Sequence, residues 1–214
     1  MELDSQTEES KKHLSMVRSY TLADLFTLAN ASCGTISIFL CLEYIADNKS
    51  RNLWIAFVLP WFALLFDALD GYIARLNKRR QSLLGADLDS LADIVSFGVA
   101  PAVLGFTLGL RGFWDILFLT YFVCCGISRL ARFNVTSAAL TNTRTGKVKY
   151  FEGTPIPTSV VIVLILAALY DRRLTGDHFL LGSSLFLHRE FHLFSVLYFL
   201  SGSAMISTIK VPKP

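Results

Sequence analysis

Five aspartates fall within residues 66–93, FDALDGYIARLNKRRQSLLGADLDSLAD, in a chain otherwise rich in apolar side chains. On helices, the spacing of four of them puts Asp67 and Asp70 on one face together with Gly71 and Ala74, and Asp89 and Asp93 on one face of the next helix. Residues 77–86, with three consecutive basic residues and a glycine, are long enough to turn the chain back, so the two carboxylate pairs face each other across a hairpin. Four carboxylates packed this closely repel unless positive charge sits between them. Oxygen-only ligands suit a hard divalent ion, Mg²⁺ or Mn²⁺, and four carboxylates accommodate two such ions. Paired ions of this kind form a clamp for displacement at phosphorus. Gly71, Ala74 and Gly85 are small enough to let a phosphate-bearing ligand approach the backbone, and Arg75 offers it a bidentate fork.

A lone aspartate inside a membrane is as readily a packing hydrogen bond or an ion relay. Four at this spacing, with glycine and arginine interleaved, argue for a site. A divalent-cation transporter would place its carboxylates near the bilayer midplane on broken helices, whereas this set lies at the end of a hairpin beside Arg75. A non-catalytic scaffold leaves the set without a reason.

The elements that must position these residues are membrane helices. The chain has 214 residues, 53% hydrophobic and 17% charged, with mean hydropathy +0.49; soluble domains carry about 25% charged residues. Six apolar stretches approach the ~20 residues that cross a bilayer: residues 22–45, 53–76, 88–110, 113–133, 155–170 and 191–209. Segment 171–190 contains HFLLGSSLFLH, an interfacial helix or an extension of a neighbouring span. If the N-terminus is cytoplasmic, that side of the membrane carries twelve lysines and arginines against six on the other, the bias of cytoplasmic loops. The expected fold is therefore all-α and integral to the membrane, with six transmembrane helices, both termini cytoplasmic and the site at the cytoplasmic end of the helix 2/helix 3 hairpin. Residues 1–20 read as a solvated tail without a signal peptide, 21–210 as one membrane domain and 211–214 as a second short tail. The four cysteines lie in apolar segments and read as packing residues. The histidines form no set, and Lys78, Arg79 and Arg80 read as a topology signal and an attraction to anionic lipid, with no nucleic-acid partner.

Asp67, Asp70, Gly71, Ala74, Arg75, Gly85, Asp89 and Asp93 fit D-x-x-D-G-x-x-A-R-x(8 or 9)-G-x-x-x-D-x-x-x-D, with nine residues between Arg75 and Gly85. This resembles the signature of the CDP-alcohol phosphatidyltransferase family. The resemblance implies a homodimeric membrane enzyme that moves a phosphatidyl-type group from a CDP-linked lipid to an alcohol and releases CMP. It further implies that Asp67, Asp70 and Asp89 bind metal, that Asp93 is the general base and touches metal, and that Gly71, Ala74, Arg75 and Gly85, with Asp70, hold the CDP part. Thr27 and Asn30, on a face with Gly34, resemble the first-helix element of the nucleotide pocket. DLDSLADIVSFGVAPA, SRLARFN (128–134), FEGTPIP (151–157) and MVRSYTLADLFTLAN resemble family members that use CDP-diacylglycerol and L-serine, in their eukaryotic, fungal-type form. That likeness points to the endoplasmic reticulum membrane, with a bacterial inner membrane as the alternative. The carboxylate of L-serine would pair with Arg129 and Arg132, with Phe133 shaping one wall; the alternative for both arginines is snorkelling toward lipid headgroups. The core motif leaves open inositol, glycerol phosphate, choline or ethanolamine as acceptor.

Overall fold

The computed structural model describes residues 21–76, 83–141, 150–175, 183–186, 189–207 and 210–212. The expected N-terminal tail and the basic run Lys78, Arg79 and Arg80 lie outside the described residues. The architecture is a bundle of apolar helices: α1 (Leu22–Asp47), α2 (Ser50–Leu76), α3 (Leu83–Asp93), a π-helical segment (Ile94–Val99), α4 (Ala100–Thr107), α5 (Phe113–Thr141), α6 (Val160–Asp171) and α7 (Ser195–Met205). Among the described residues four stretches are long and apolar enough to cross a membrane, Leu22–Asp47, Ser50–Ile73, Gly85–Thr107 and Phe113–Val135, and the chain is a multi-pass membrane protein. The fifth and sixth apolar segments are helical over shorter stretches than expected. A 3₁₀ turn (Ile156–Ser159) leads into the 12 residues of α6, and α7 has 11.

Two extents differ from the expectation in ways that bear on the site. The third span begins at Leu83, which puts Gly85 inside the helix, and α5 runs past Phe133 to Thr141 without a proline or glycine to stop it. The segment HFLLGSSLFLH is not helical at Ser183–Phe186: those residues form β2, paired antiparallel with β3 (Arg189–His192). A second strand pair among the described residues joins β1 (Tyr150–Glu152), which overlaps the start of FEGTPIP, to β4 (Lys210–Pro212).

α1 is the central helix. It begins with a capping box, in which Thr21 Oγ1 accepts from the Asp24 backbone N–H and Asp24 Oδ2 accepts from the Thr21 backbone N–H, satisfying otherwise orphaned donors. It packs along α2 and against α3, the π segment and α4. Pro60 in α2 has no N–H, which frees the carbonyl of Ala56 four residues earlier; Ser37 of α1 donates its hydroxyl to that oxygen at 2.8 Å. The π segment has a similar origin. Pro101 cannot donate to the carbonyl four residues before it, and the backbone N–H of Ala100 reaches back five residues to Val95. Tyr198 of α7, wholly buried, donates its hydroxyl to the Pro101 carbonyl at 2.7 Å.

α1 and the π segment approach closely at Gly34, where a Cβ would lie 2.6 Å from Ser96 Oγ and 2.7 Å from Ser96 Cα. Ser96 in turn donates its hydroxyl to the Asn30 carbonyl at 2.8 Å. At the end of the bundle away from the aspartates, Tyr44, Trp54, Phe57 and Tyr170 make edge and tilted ring contacts, and Asp115 accepts from the His192 and Gly112 backbone N–H groups. The three cysteines Cys33, Cys41 and Cys125 are buried and Cys124 is exposed, all of them free. Because the Gly34 neighbour is backbone, Gly34→Ala forces α1 away from the π segment, and overpacking of this kind costs about 1–3 kcal/mol. A fall in Tm of the purified protein in detergent is expected; an unchanged Tm contradicts the contact.

Candidate active site

Asp67 and Asp70 come from the last three turns of α2, and Asp89 and Asp93 from the C-terminal half of α3. Carboxylate oxygens of Asp67, Asp89 and Asp93 lie within 4.8 Å of one another. Asp93 is 7% exposed, and Asp67 and Asp89 are half-buried. At 4.8 Å each pair of charges repels by about 3 kcal/mol at an effective dielectric constant near 20. Three such pairs approach the whole stability of a typical domain, about 5–15 kcal/mol. A cation among them relieves all three repulsions at once.

Asp70, 5% exposed, is turned to α1, where Thr27 Oγ1 lies 2.9 Å from its Oδ2. Asn30 Nδ2 donates to Asp93 Oδ1 at 3.1 Å. Thr27 and Asn30, expected to line a nucleotide pocket, are 4% and 0% exposed and bond to the aspartates. Gly71 sits beside Asp70 with no heavy atom of the described residues within 4 Å of where its Cβ would be, so its small size serves no packing contact among them. The side chains of Ala74 and Arg75 lie outside the described residues, and Gly85 sits on the first turns of α3, half-buried.

α5 supplies the other wall. Arg129 is half-buried, and its Nε is buried without a hydrogen-bond partner among the described residues. Arg132 and Phe133, one turn on, are exposed. Sequence reasoning missed the clamp that joins this wall to α3: Ser90 Oγ donates to Asn134 Oδ1 at 3.1 Å, and Asn134 Nδ2 donates to Asp87 Oδ1 at 3.2 Å. Its signal was present in the 87–90 spacing, which puts Asp87 and Ser90 on one helical face, and in Asn134 at the end of SRLARFN. The π segment and Ser96 were also missed.

The residues fit a hard divalent cation. The donors are all oxygen, they converge from two helices, and Asp89 Oδ1 is buried with no partner among the protein groups. An ion that binds only the folded chain stabilises it, by about 2.7 kcal/mol at a hundred times its dissociation constant. Mn²⁺ is therefore expected to raise the Tm of the purified protein. Asp89→Asn should abolish that rise, and a rise that survives both Asp89→Asn and Asp67→Asn places the ion elsewhere.

Comparison with known proteins agrees with the geometry. The chain is 43% identical over 209 residues to the CDP-diacylglycerol–serine O-phosphatidyltransferase of Saccharomyces cerevisiae, covering 94% of this chain and 74% of that protein. It is 40% identical over 144 residues to the archaetidylserine synthase of Methanothermobacter thermautotrophicus, covering 66% of this chain and 55% of that protein. It is 34% identical over 198 residues to the CDP-diacylglycerol–serine O-phosphatidyltransferase of Helicobacter pylori, covering 90% and 72%. No solved structure matches the chain. The model of the CDP-alcohol phosphatidyltransferase family matches residues 20–200, a stretch that holds every aspartate of the cluster and both helices that carry it, and the chain belongs to that family.

Proposed function

We propose that the protein transfers the phosphatidyl group of CDP-diacylglycerol to the hydroxyl of L-serine, giving phosphatidylserine and CMP. The observation that carries the reaction class is the convergence of Asp67, Asp89 and Asp93 on one point at the end of the α2/α3 hairpin. Support for serine as acceptor comes from the yeast and Helicobacter relatives of that name and from Arg129 on α5, whose buried Nε lacks a partner among the described residues.

In this reading Asp67, Asp89 and Asp93 hold one divalent ion, Mg²⁺ or Mn²⁺, and Asp70 adjoins them to serve a second. The bound metal supplies positive charge that neutralises the diphosphate and the departing CMP. Asp93 takes the proton from the serine hydroxyl. The serine oxygen then forms a bond to the phosphorus bearing diacylglycerol, and the bond from that phosphorus to the diphosphate bridging oxygen breaks with CMP carrying away the electron pair. Gly71, Ala74, Arg75 and Gly85 take the CDP portion, Gly71 by leaving room at the backbone. Arg129 and Arg132 orient serine through its carboxylate, beside Phe133. The membrane domain is residues 21–210, acting as a homodimer in the endoplasmic reticulum membrane with the hairpin end facing the cytoplasm.

Purified protein supplied with CDP-diacylglycerol and Mn²⁺ is expected to release CMP with labelled serine. It should not do so with inositol, glycerol 3-phosphate, choline or ethanolamine, and EDTA should stop the reaction. Turnover with one of those alcohols in place of serine overturns the acceptor assignment. Asp93→Asn should lower kcat by a factor of about 10² or more, and full activity removes it as the base. Gly71→Ala separates substrate approach from packing. With open space at its Cβ and better helix propensity by up to about 1 kcal/mol, the variant should keep or raise Tm while KM for CDP-diacylglycerol rises; an unchanged KM contradicts the role given to Gly71.

A further inference from the structure

Two aspartates of the site, on two different helices, are each held through one carboxylate oxygen by a buried side chain of a third helix. We propose that Thr27 and Asn30 of α1 are positioning residues that orient Asp70 and Asp93. The inference deepens the reading above and rests on its assignment of the carboxylate cluster.

The geometry is specific. Thr27 Oγ1 lies 2.9 Å from Asp70 Oδ2 and 3.1 Å from the Ala23 carbonyl. A hydroxyl has one proton to donate, and the carboxylate is the stronger acceptor. That bond fixes the Asp70 carboxylate through Oδ2. Asn30 Nδ2 likewise fixes Asp93 through Oδ1. Thr27 and Asn30 are one helical turn apart, at i and i+3, so a single face of α1 meets both carboxylates.

That face is itself fixed. Ser96, three residues beyond Asp93, donates to the carbonyl of Asn30, and the absence of a side chain at Gly34 lets the backbones of α1 and the π segment meet there. The same segment that carries Asp93 into the site therefore fixes the residue that orients it. Asn30 is 0% exposed and Thr27 4%, so both side chains are held inside the bundle. Groups that hydrogen-bond metal-ligating side chains typically matter by 10–100-fold in metal affinity or activity, so the proposal carries a measurable effect.

The test uses the full chain in detergent with Thr27→Val, Thr27→Ser and Asn30→Leu. Mn²⁺ binding is read from the electron paramagnetic resonance signal of the free ion, and kcat and KM are measured with CDP-diacylglycerol and serine. Thr27→Val and Asn30→Leu should weaken Mn²⁺ binding and lower kcat by about tenfold or more, with KM for CDP-diacylglycerol little changed. Thr27→Ser, which restores the hydroxyl, should restore both. Asn30→Leu should cost nothing further in an Asp93→Asn background, because residues acting through one another are not additive. Unchanged Mn²⁺ binding together with a raised KM for CDP-diacylglycerol overturns the proposal and returns both residues to the nucleotide. If Asn30→Leu fails to fold, the Thr27 valine and serine pair decides. Weakened Mn²⁺ binding in variants of a protein that does not use serine would sink the acceptor assignment while supporting the positioning role.

Discussion

The mutual repulsion of Asp67, Asp89 and Asp93 is the constraint around which the bundle is organised. In water three carboxylates would drift apart; here they are carried by helices that also bury an apolar core, with oxygens within 4.8 Å of one another. Hydrophobic burial between helices supplies no help in lipid, where the surroundings are as apolar as the core. Close backbone contact and hydrogen bonds must hold the helices instead. The Gly34 to Ser96 contact, the Ser37 bond to the carbonyl freed by Pro60 and the Tyr198 bond to the Pro101 carbonyl are of that kind. The first uses a small residue, the second a carbonyl left over by proline, and the third the space beside Gly105, where a Cβ would lie 2.7 Å from the Tyr198 hydroxyl.

The π segment is where local irregularity and the site meet. It follows Asp93 directly, and a π-helical turn shifts the faces of the residues after it relative to those before it. Asp89 and Asp93 can thus point to the cluster while Ser96 and Phe97, wholly buried, point to α1 and the core. At the other wall the Asn134 clamp ties α5, with Arg129 on it, to the face of α3 beside Asp89. The two walls of the site are therefore linked to each other and to α1 by side chains that belong to neither the metal set nor the arginine pair.

The helical spacing of the aspartates, the all-α membrane class and the likeness to CDP-alcohol phosphatidyltransferases were legible in the sequence because periodicity and a long motif report on local geometry. Contacts between elements distant in sequence were not. Nothing in the order of residues says that Thr27 meets Asp70 or Asn30 meets Asp93, and a resemblance to a nucleotide-pocket element gave them a different expected neighbour. Helix ends were misjudged for a related reason: hydropathy marks where a chain is apolar, while α5 continues through NVTSAALT because nothing there breaks a helix. HFLLGSSLFLH, apolar at many positions, pairs as a strand at Ser183–Phe186, since short apolar runs do not separate strand from helix.

The central claim is that the α2/α3 carboxylates form a divalent-cation site. Its most direct test is anomalous diffraction from crystals of the protein grown with Mn²⁺. The account predicts an anomalous peak at the point where Asp67, Asp89 and Asp93 converge, within the roughly 2.0–2.2 Å of carboxylate oxygens usual for small divalent ions. A peak elsewhere in the bundle, or none in crystals soaked to saturation, would contradict it.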